Sequence, residues 1–232
     1  MEKTIMNRGL VETEINDAWT LLKRLGLGKD REYHPGTPSN PAALFRRLTY
    51  QDYWSTSFNE HYYNFLLFDN SIIDFRFNSF RPLNFTYSYI ECPYIFVTFF
   101  DYVKNLDIEI DSQDYQELEW DLKKAYDMEG QDQELKLTVT PIRYDFAPEI
   151  YTLDVHPASH FHLGFKNEIR IGTKRILHPL SFILFVLRHC YPNKWIEFIS
   201  IDQYIKFLPL IRDSLDEIDA SIFFNEKEMI LE

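Results

Sequence analysis

The sequence predicts an α+β fold in which an antiparallel sheet built from hairpins is flanked by N-terminal and C-terminal helices. Aromatic residues make up 17% of the 232 residues, with 20 Phe and 15 Tyr, and such residues favour sheet-rich cores. Strand-like runs fill the middle of the chain, and helical periodicity marks both ends. No repeat or linker interrupts them. We therefore expect one domain over residues 1–232, with a helical part at 1–50, a sheet-rich core at 51–175 and a second helical part at 176–232.

The N-terminal part predicts one long helix. Apolar residues recur at helical spacing from about Val11 to Leu25, and Gly26 follows as a stop signal. The segment from Lys29 to Pro41 is rich in Pro, Gly and Asn, which predicts a loop. We expect Pro41 to open a short helix through Leu48 with a cap at the preceding asparagine.

Two β-rich blocks follow, with a helix between them. The first block, Asn59 to Cys92, predicts two or three antiparallel strands with a turn at Asp69-Asn70. A helix is expected from about Ser112 to Met128. The second block contains four predicted strand segments: Leu135–Phe146, Glu149–Val155, Ser159–Phe165 and Glu168–Gly172.

The C-terminal part begins with a helix that is apolar almost all round. We expect it to open at Pro179 and to end before Pro192, and such a helix belongs in a core. A further helical segment is predicted from Lys194 to Ile211.

Composition narrows the function classes. The net charge of −12 opposes broad attraction to nucleic acid or anionic lipid. The start of the chain carries no apolar leader, no run could span a bilayer, and the two cysteines form no CxxC pair. These observations predict a soluble cytoplasmic protein without a membrane partner. The acidic runs Asp107–Glu119 and Asp213–Asp219 are expected to be solvated faces or a surface for a partner protein.

The segment HPASHFHLG, residues 156–164, holds three of the seven histidines. Side chains alternate along a strand, so His160 and His162 share one face while Phe161 and Leu163 share the other. The apolar side must face the core. The histidines are therefore expected to face water or a cleft.

The hydrophobic pattern also predicts how this strand pairs. A three-residue hairpin loop at Lys166–Glu168 would set Leu163 against Ile171 and place Arg170 on the histidine face. In the preceding strand the apolar parity changes at Pro141, which a β-bulge would explain. Beyond that bulge, Arg143 and Asp145 would point to the histidine face.

Several of these motifs together resemble a bacterial domain-of-unknown-function family, number 2290. The resemblance covers roughly Asn59 to Trp195, and it rests on RYDF at 143–146, HPASHFHLG, the later Arg170-Ile171, the proline-led helix ending RHCYP, and the aromatic hairpin ending ECP. It implies a bacterial protein from mobile or defence-associated gene neighbourhoods, and it brings no established activity or catalytic residues. The clustered histidines are also similar to small toxin components of toxin and antitoxin pairs.

The first functional hypothesis is a defence- or toxin-linked ribonuclease or phosphodiesterase that needs no metal. Histidines with ordinary pKa values near 6.5 can serve as general acid and base, and arginines can hold a phosphate. A local basic segment, Lys166 to Arg175, would favour RNA despite the overall charge. The expected catalytic residues are His156, His160, His162 and Asp145, and the expected substrate-binding residues are Arg143, Tyr144, Arg170 and Lys174.

Two other hypotheses stay open. A His-x-His pair on one strand face is a common metal-ligand arrangement, and HFHLGFKNE resembles the cupin element in having a carboxylate, Glu168, after the pair. That carboxylate comes too late, and a cupin glycine is replaced by Asp154. The third hypothesis is a non-catalytic interaction protein whose histidines are structural. The sequence identifies no cofactor.

Overall fold

A computed structural model describes residues 6–37, 46–95, 99–110, 112–129, 134–166, 169–201, 208 and 215–219 of the chain. The chain divides into two compact units: the first comprises residues 1–91 and 140–232, and the second comprises residues 92–139. The expectation of a single domain over the whole chain stays a prediction. Within the described part, no helix is long and apolar enough to cross a membrane.

The described elements confirm an α+β fold. Six helices have both ends within the described residues: α1 (Arg8–Arg24), α2 (Tyr50–Asn59), α3 (Phe99–Asn105), α4 (Gln113–Glu129), α5 (Pro179–Cys190) and α6 (Pro192–Ile199). The strands are β1 (Gly28–Arg31), β2 (Phe65–Leu67), β3 (Ile72–Phe80), β4 (Leu83–Ile90), β5 (Tyr94–Ile95), β6 (Glu134–Leu135), β7 (Ile142–Phe146), β8 (Ser159–Leu163), β9 (Ile171–Gly172), β10 (Arg175–Ile176) and β11 (Asp216–Glu217). A 3₁₀ turn covers Pro148–Ile150.

The first unit is built on a seven-stranded antiparallel sheet in the order β1-β2-β3-β4-β7-β8-β9. The turn predicted at Asp69-Asn70 joins β2 to β3, and Asn70 takes the left-handed conformation that such a tight turn requires. A second hairpin joins β3 to β4. The remaining described strands form two small sheets, β10 with β11 and β5 with β6.

One face of the large sheet is apolar and forms the core. The strand register aligns a row of aromatic residues across it, running Phe75, Tyr87, Tyr144 and Phe161. Helix α5 covers this row: Phe182 packs edge-on against Phe75, and Phe185 stacks on Phe161. Helix α1 packs against α5 and adds its own apolar stripe to the same core. The predicted all-round apolar helix is therefore a core helix.

The opposite face of the sheet carries two polar rows. The first runs Arg76, Thr86, Asp145, His160 and Gly172, and the second runs Asp74, Ser88, Arg143 and His162. Helix α2 lies near this face, because the half-buried Tyr53 is close to the charges of Asp74, Arg76 and Arg143. Tyr50 of the same helix donates to the Glu91 carbonyl at 2.5 Å.

The second unit contains the helix predicted from Ser112 to Met128. It is observed as α4, and Ser112 Oγ accepts from the Tyr115 amide at 3.1 Å, as an N-terminal cap does. Tyr126 of α4 packs against Phe99 and Tyr102 of α3. Strand β5 pairs with β6 in this unit.

Four local predictions are wrong. Helix α2 was not anticipated, because its aromatic residues suggested strands; Thr49 caps it by accepting from the Asp52 amide, and Tyr50, Trp54 and Ser57 are buried at helical spacing. The expected loop from residue 29 begins as strand β1. The expected strand Glu149–Val155 is a 3₁₀ turn and a tight turn instead, closed by Thr152 pairing with His156.

The fourth error concerns the strands around the histidine motif. Pro141 does not bulge a continuous strand: β6 ends at residue 135 and β7 starts after the proline. The β8–β9 connection spans 164–170, and Phe161 pairs with Ile171, two residues away from the predicted register. This shift keeps the parity, so Phe161, Leu163 and Ile171 remain on the core face.

Some predictions lie outside the described residues. These are the start of the short helix at Asn40 and Pro41, the position of Glu168 and most of the helical segment after Ile201.

Candidate functional site

Asp145, His160 and His162 converge at one point on the polar face of the sheet. Strand pairing sets His160 directly opposite Asp145, and alternation along β8 returns His162 to the same face. The two histidine Nε2 atoms are 3.0 Å apart. Asp145 Oδ2 lies 3.3 Å from His162 Nε2 and 3.7 Å from His160 Nε2. We call these three residues the His–Asp cluster.

The His–Asp cluster is shielded from water. His160 is 1% exposed and His162 is 7% exposed. Burial lowers the pKa of His160 to about 4, although the nearby Asp145 carboxylate opposes the shift. At neutral pH the His160 imidazole is therefore neutral and keeps a ring-nitrogen lone pair.

Asp145 is held as a carboxylate. Burial alone would raise its pKa, but the hydrogen bond with His162, the Arg143 charge and the Thr86 hydroxyl outweigh burial and lower the pKa to about 2. Arg143 Nε donates to Asp145 Oδ2 at 2.9 Å, and Thr86 Oγ1 donates to Oδ1 at 2.8 Å. The orientation of this carboxylate is thus fixed by Thr86 on the neighbouring strand β4 and by Arg143 on its own strand β7.

His156 lies next to the cluster without joining it. Its ring centroid is 4.7 Å from that of His160, edge to face. The Nδ1 atoms of His156 and His160 are buried and make no hydrogen bond of normal geometry within the described part of the chain. The pKa of His156 is lowered overall, because burial and the Arg170 charge outweigh the opposing effect of the Pro157 carbonyl.

The other predicted site residues fall in different places. Arg170 is exposed in the connection before β9, close enough for its charge to act on His156. Lys174 lies in the bend between β9 and β10. Tyr144 is fully buried on the core face, where its hydroxyl accepts from the Leu177 amide, so a ligand at the His–Asp cluster does not reach it. Arg175, at the end of the basic segment, pairs with Glu217 at 2.9 Å.

Five residues around the cluster were missed from the sequence. They are Tyr53, Asp74, Arg76, Thr86 and Ser88. Alternation of polar and aromatic residues in DFRF and FTYSY signals that one strand face is polar. Only the strand order β3-β4-β7-β8, however, brings that face beside the histidines.

The geometry fits a metal ion. The ligand atoms of Asp145, His160 and His162 all lie within 4.8 Å of one another. A tetrahedral zinc ion with ligand bonds of about 2.0–2.1 Å separates its ligand atoms by about 3.4 Å. The three observed separations bracket that value.

The fold and the site together define an α+β protein with a buried His–His–Asp cluster on the polar face of an antiparallel sheet. The chain belongs to the family described as Uncharacterized conserved protein (DUF2290), whose family model matches residues 32–231. Neither the curated proteins nor the solved structures contain a match to it.

Proposed function

We propose that this chain binds a divalent transition metal through Asp145 Oδ2, His160 Nε2 and His162 Nε2, and that the centre is of the catalytic type. The observation that supports this most directly is the mutual approach of three ligand atoms to 3.0, 3.3 and 3.7 Å. An ion at their common point would bind all three.

The size of the triangle supports the proposal. The circle through the three atoms has a radius of about 1.9–2.0 Å, so an ion about 2.0–2.1 Å from each atom would lie just off their plane. Bond lengths in that range are those of zinc with imidazole and carboxylate ligands. The ligands would need little rearrangement.

The number of ligands supports a catalytic type of centre. Structural zinc sites are closed by four protein ligands, whereas catalytic sites have three and leave a position for water or substrate. Two histidines and one carboxylate also match the open sites of non-haem iron(II) enzymes. Arg143 and Thr86 supply the hydrogen bonds that orient the ligating carboxylate, as residues behind metal ligands commonly do.

The metal-independent ribonuclease hypothesis has less support. General acid–base catalysis requires a histidine nitrogen within hydrogen-bond reach of the substrate. The Nε2 atoms of His160 and His162 instead point at each other, and His160 is almost fully buried. Binding a metal uses those same atoms without exposing them.

Metal binding can be tested directly by titrating the metal-free chain with Zn²⁺, Fe²⁺ or Mn²⁺ in a calorimeter and measuring bound metal by mass spectrometry. We expect one ion per chain for at least one metal, and loss of that ion in Asp145→Asn, His160→Ala and His162→Ala. His34→Ala, a substitution of an exposed histidine, is the matched control and should bind like the wild type. Circular dichroism checks that each variant is folded. Failure of the wild-type chain to bind any of the three ions, or equal binding by all variants, would contradict the proposal.

A further inference from the structure

The polar face next to the His–Asp cluster carries two arginines on either side of β4. Arg76 stands beside Thr86 and Arg143 stands beside Ser88, so the strand between the arginines contributes only small side chains to this face. Tyr53 of α2 is half-buried within range of both arginine charges. We call Arg76 and Arg143 the arginine pair.

Arg143 is positioned to contact a ligand bound at the cluster. Its Nε donates to Asp145 Oδ2, the same oxygen that would bind the metal. A guanidinium has five N–H donors, so this bond leaves the two terminal nitrogens able to donate. The Arg143 side chain is half exposed, which makes those nitrogens accessible from solvent.

The charges around the polar face balance although the whole chain is acidic. Arg76, Arg143 and the nearby Arg170 carry three positive charges, and the carboxylates of Asp74, Asp145 and, at the Asn84 end of β4, Glu149 carry three negative ones. A divalent ion in the His–Asp cluster would add two positive charges. An anion is therefore the ligand that this surface attracts, against a net charge of −12 for the chain.

We propose that the open position of the metal centre takes a phosphate ester, with one phosphoryl oxygen on the metal and others on the Arg143 guanidinium. This inference rests on the proposed metal centre. Because Arg143 Nε is 2.9 Å from a ligating oxygen, the guanidinium lies within about 5 Å of the ion, a span that adjacent oxygens of one phosphoryl group bridge. The planar arginine fork binds phosphate through two parallel hydrogen bonds.

Calorimetry of the zinc-loaded full chain tests the inference with three probes. Phenyl phosphate represents a monoester, a uridine dinucleotide represents the diester of RNA, and benzoate represents a carboxylate. We expect one of the two esters to bind, and to bind more tightly than benzoate. Binding of phenyl phosphate would indicate a small phosphate monoester as the natural ligand, and binding of the dinucleotide would indicate RNA. Arg143→Gln should weaken ester binding by about ten- to a hundredfold.

Two further variants separate charge from geometry. Arg143→Lys keeps the charge without the fork, and an intermediate loss is expected. Arg188→Gln, at an exposed arginine on α5 that packs over Trp195, is the matched control and should bind the ester like the wild type. Zinc content is measured in every sample at saturating metal, because Arg143 also supports the ligating Asp145.

The outcomes distinguish this inference from the proposed function. Full zinc occupancy without ester binding, equal binding of benzoate, or unchanged ester binding by Arg143→Gln would overturn the inference and leave the metal centre intact. Absence of zinc, iron(II) or manganese from the wild-type chain would overturn both.

Discussion

Tyr144 and Tyr87 are neighbouring core tyrosines whose hydroxyl groups have different partners. Both are fully buried. The Tyr144 hydroxyl accepts from the Leu177 amide at 2.9 Å and lies 2.7 Å from Ser159 Oγ. The Tyr87 hydroxyl donates to the Met6 sulfur at 3.9 Å, and a thioether is a weak acceptor.

We therefore expect Tyr144→Phe to lower the free energy of unfolding by about 1–3 kcal/mol, because it leaves a buried amide unpaired. Tyr87→Phe should cost clearly less. Urea denaturation of the metal-free chain measures both values. Equal losses for the two variants would show that the hydroxyl partners do not decide the stability.

Asp74 is a buried carboxyl whose ionisation opposes folding. Burial raises its pKa to about 6, and the Arg76 guanidinium reverses that shift only in part. The Tyr53 hydroxyl from α2 also lies within range of the Asp74 charge. Since the unfolded carboxyl has a pKa near 3.9, the folded chain holds the proton more tightly, and this stability is lost as pH rises from about 4 through 6.

The variant Asp74→Asn has no carboxyl at this position and should not lose stability as the pH rises. Relative to the wild type, its free energy of unfolding should rise by roughly 2–3 kcal/mol between about pH 4 and pH 7. The contribution of the Arg76 ion pair is already included in the Asp74 pKa, because the pair exists only where the carboxyl is ionised. Denaturation curves at several pH values give the comparison, and parallel pH profiles for the two proteins would be inconsistent with a raised Asp74 pKa.

At the scale of elements, helix α5 depends on a residue from α1 for its N-terminal cap. No side chain of its own caps it. Glu14 Oε2 accepts from the Leu180 amide at 3.2 Å, and Glu14 Oε1 lies 2.9 Å from His178 Nδ1. The first amides of a helix have no hydrogen-bond acceptor within the helix. Glu14 supplies an acceptor for one of them and thereby connects α1 to α5.

Removing this contact should destabilise the core without touching the His–Asp cluster. Glu14→Ala is expected to lower the free energy of unfolding by about 1–3 kcal/mol. Glu12→Ala, an exposed position on the same helix, is the control and should change it by no more than about 0.5 kcal/mol. Chemical denaturation measures both, and an equal effect at the two positions would contradict a capping role for Glu14.

Elements set by local signals were predictable from the sequence. Proline at the start and apolar residues on all sides identified α5, and the Asp69-Asn70 pair identified the β2–β3 turn. Helix α2 was not predictable from its aromatic residues, because these residues also suit strands and its buried positions gain their stability from tertiary packing. The Glu14 cap joins residues 166 positions apart, which no local pattern indicates.

The part of the site that depends on local alternation was also predictable from the sequence. Alternation alone places His160 and His162 on one face, and the parity after Pro141 places Arg143 and Asp145 there as well. Thr86 and Arg76 enter the site only because β4 and β3 come next in the sheet order. Strand order is a non-local property. The sequence also did not show that the histidines would be buried against each other.

For the whole molecule, a bound metal should stabilise the fold, because an unfolded chain does not hold three ligands in place. At a free metal concentration of about 100 times the dissociation constant, the gain is about 2.7 kcal/mol. For a chain of this size that corresponds to a rise in melting temperature of roughly 5–10 °C. A thermal unfolding scan with and without zinc should show this rise in the wild type and not in His162→Ala. A rise of the same size in both would place the stabilising ion elsewhere.

The large sheet ends on both sides in short strands: β1 has four residues and β9 has two. Strand β1 also carries three consecutive charged residues, Lys29 to Arg31, and its register with β2 is irregular between residues 28 and 30. Short, charged and irregular edges offer a poor template for another chain's strand. A sheet rich in buried aromatic residues is thereby protected against edge-to-edge aggregation, and we expect the folded chain to stay dispersed at concentrations where its unfolded state precipitates.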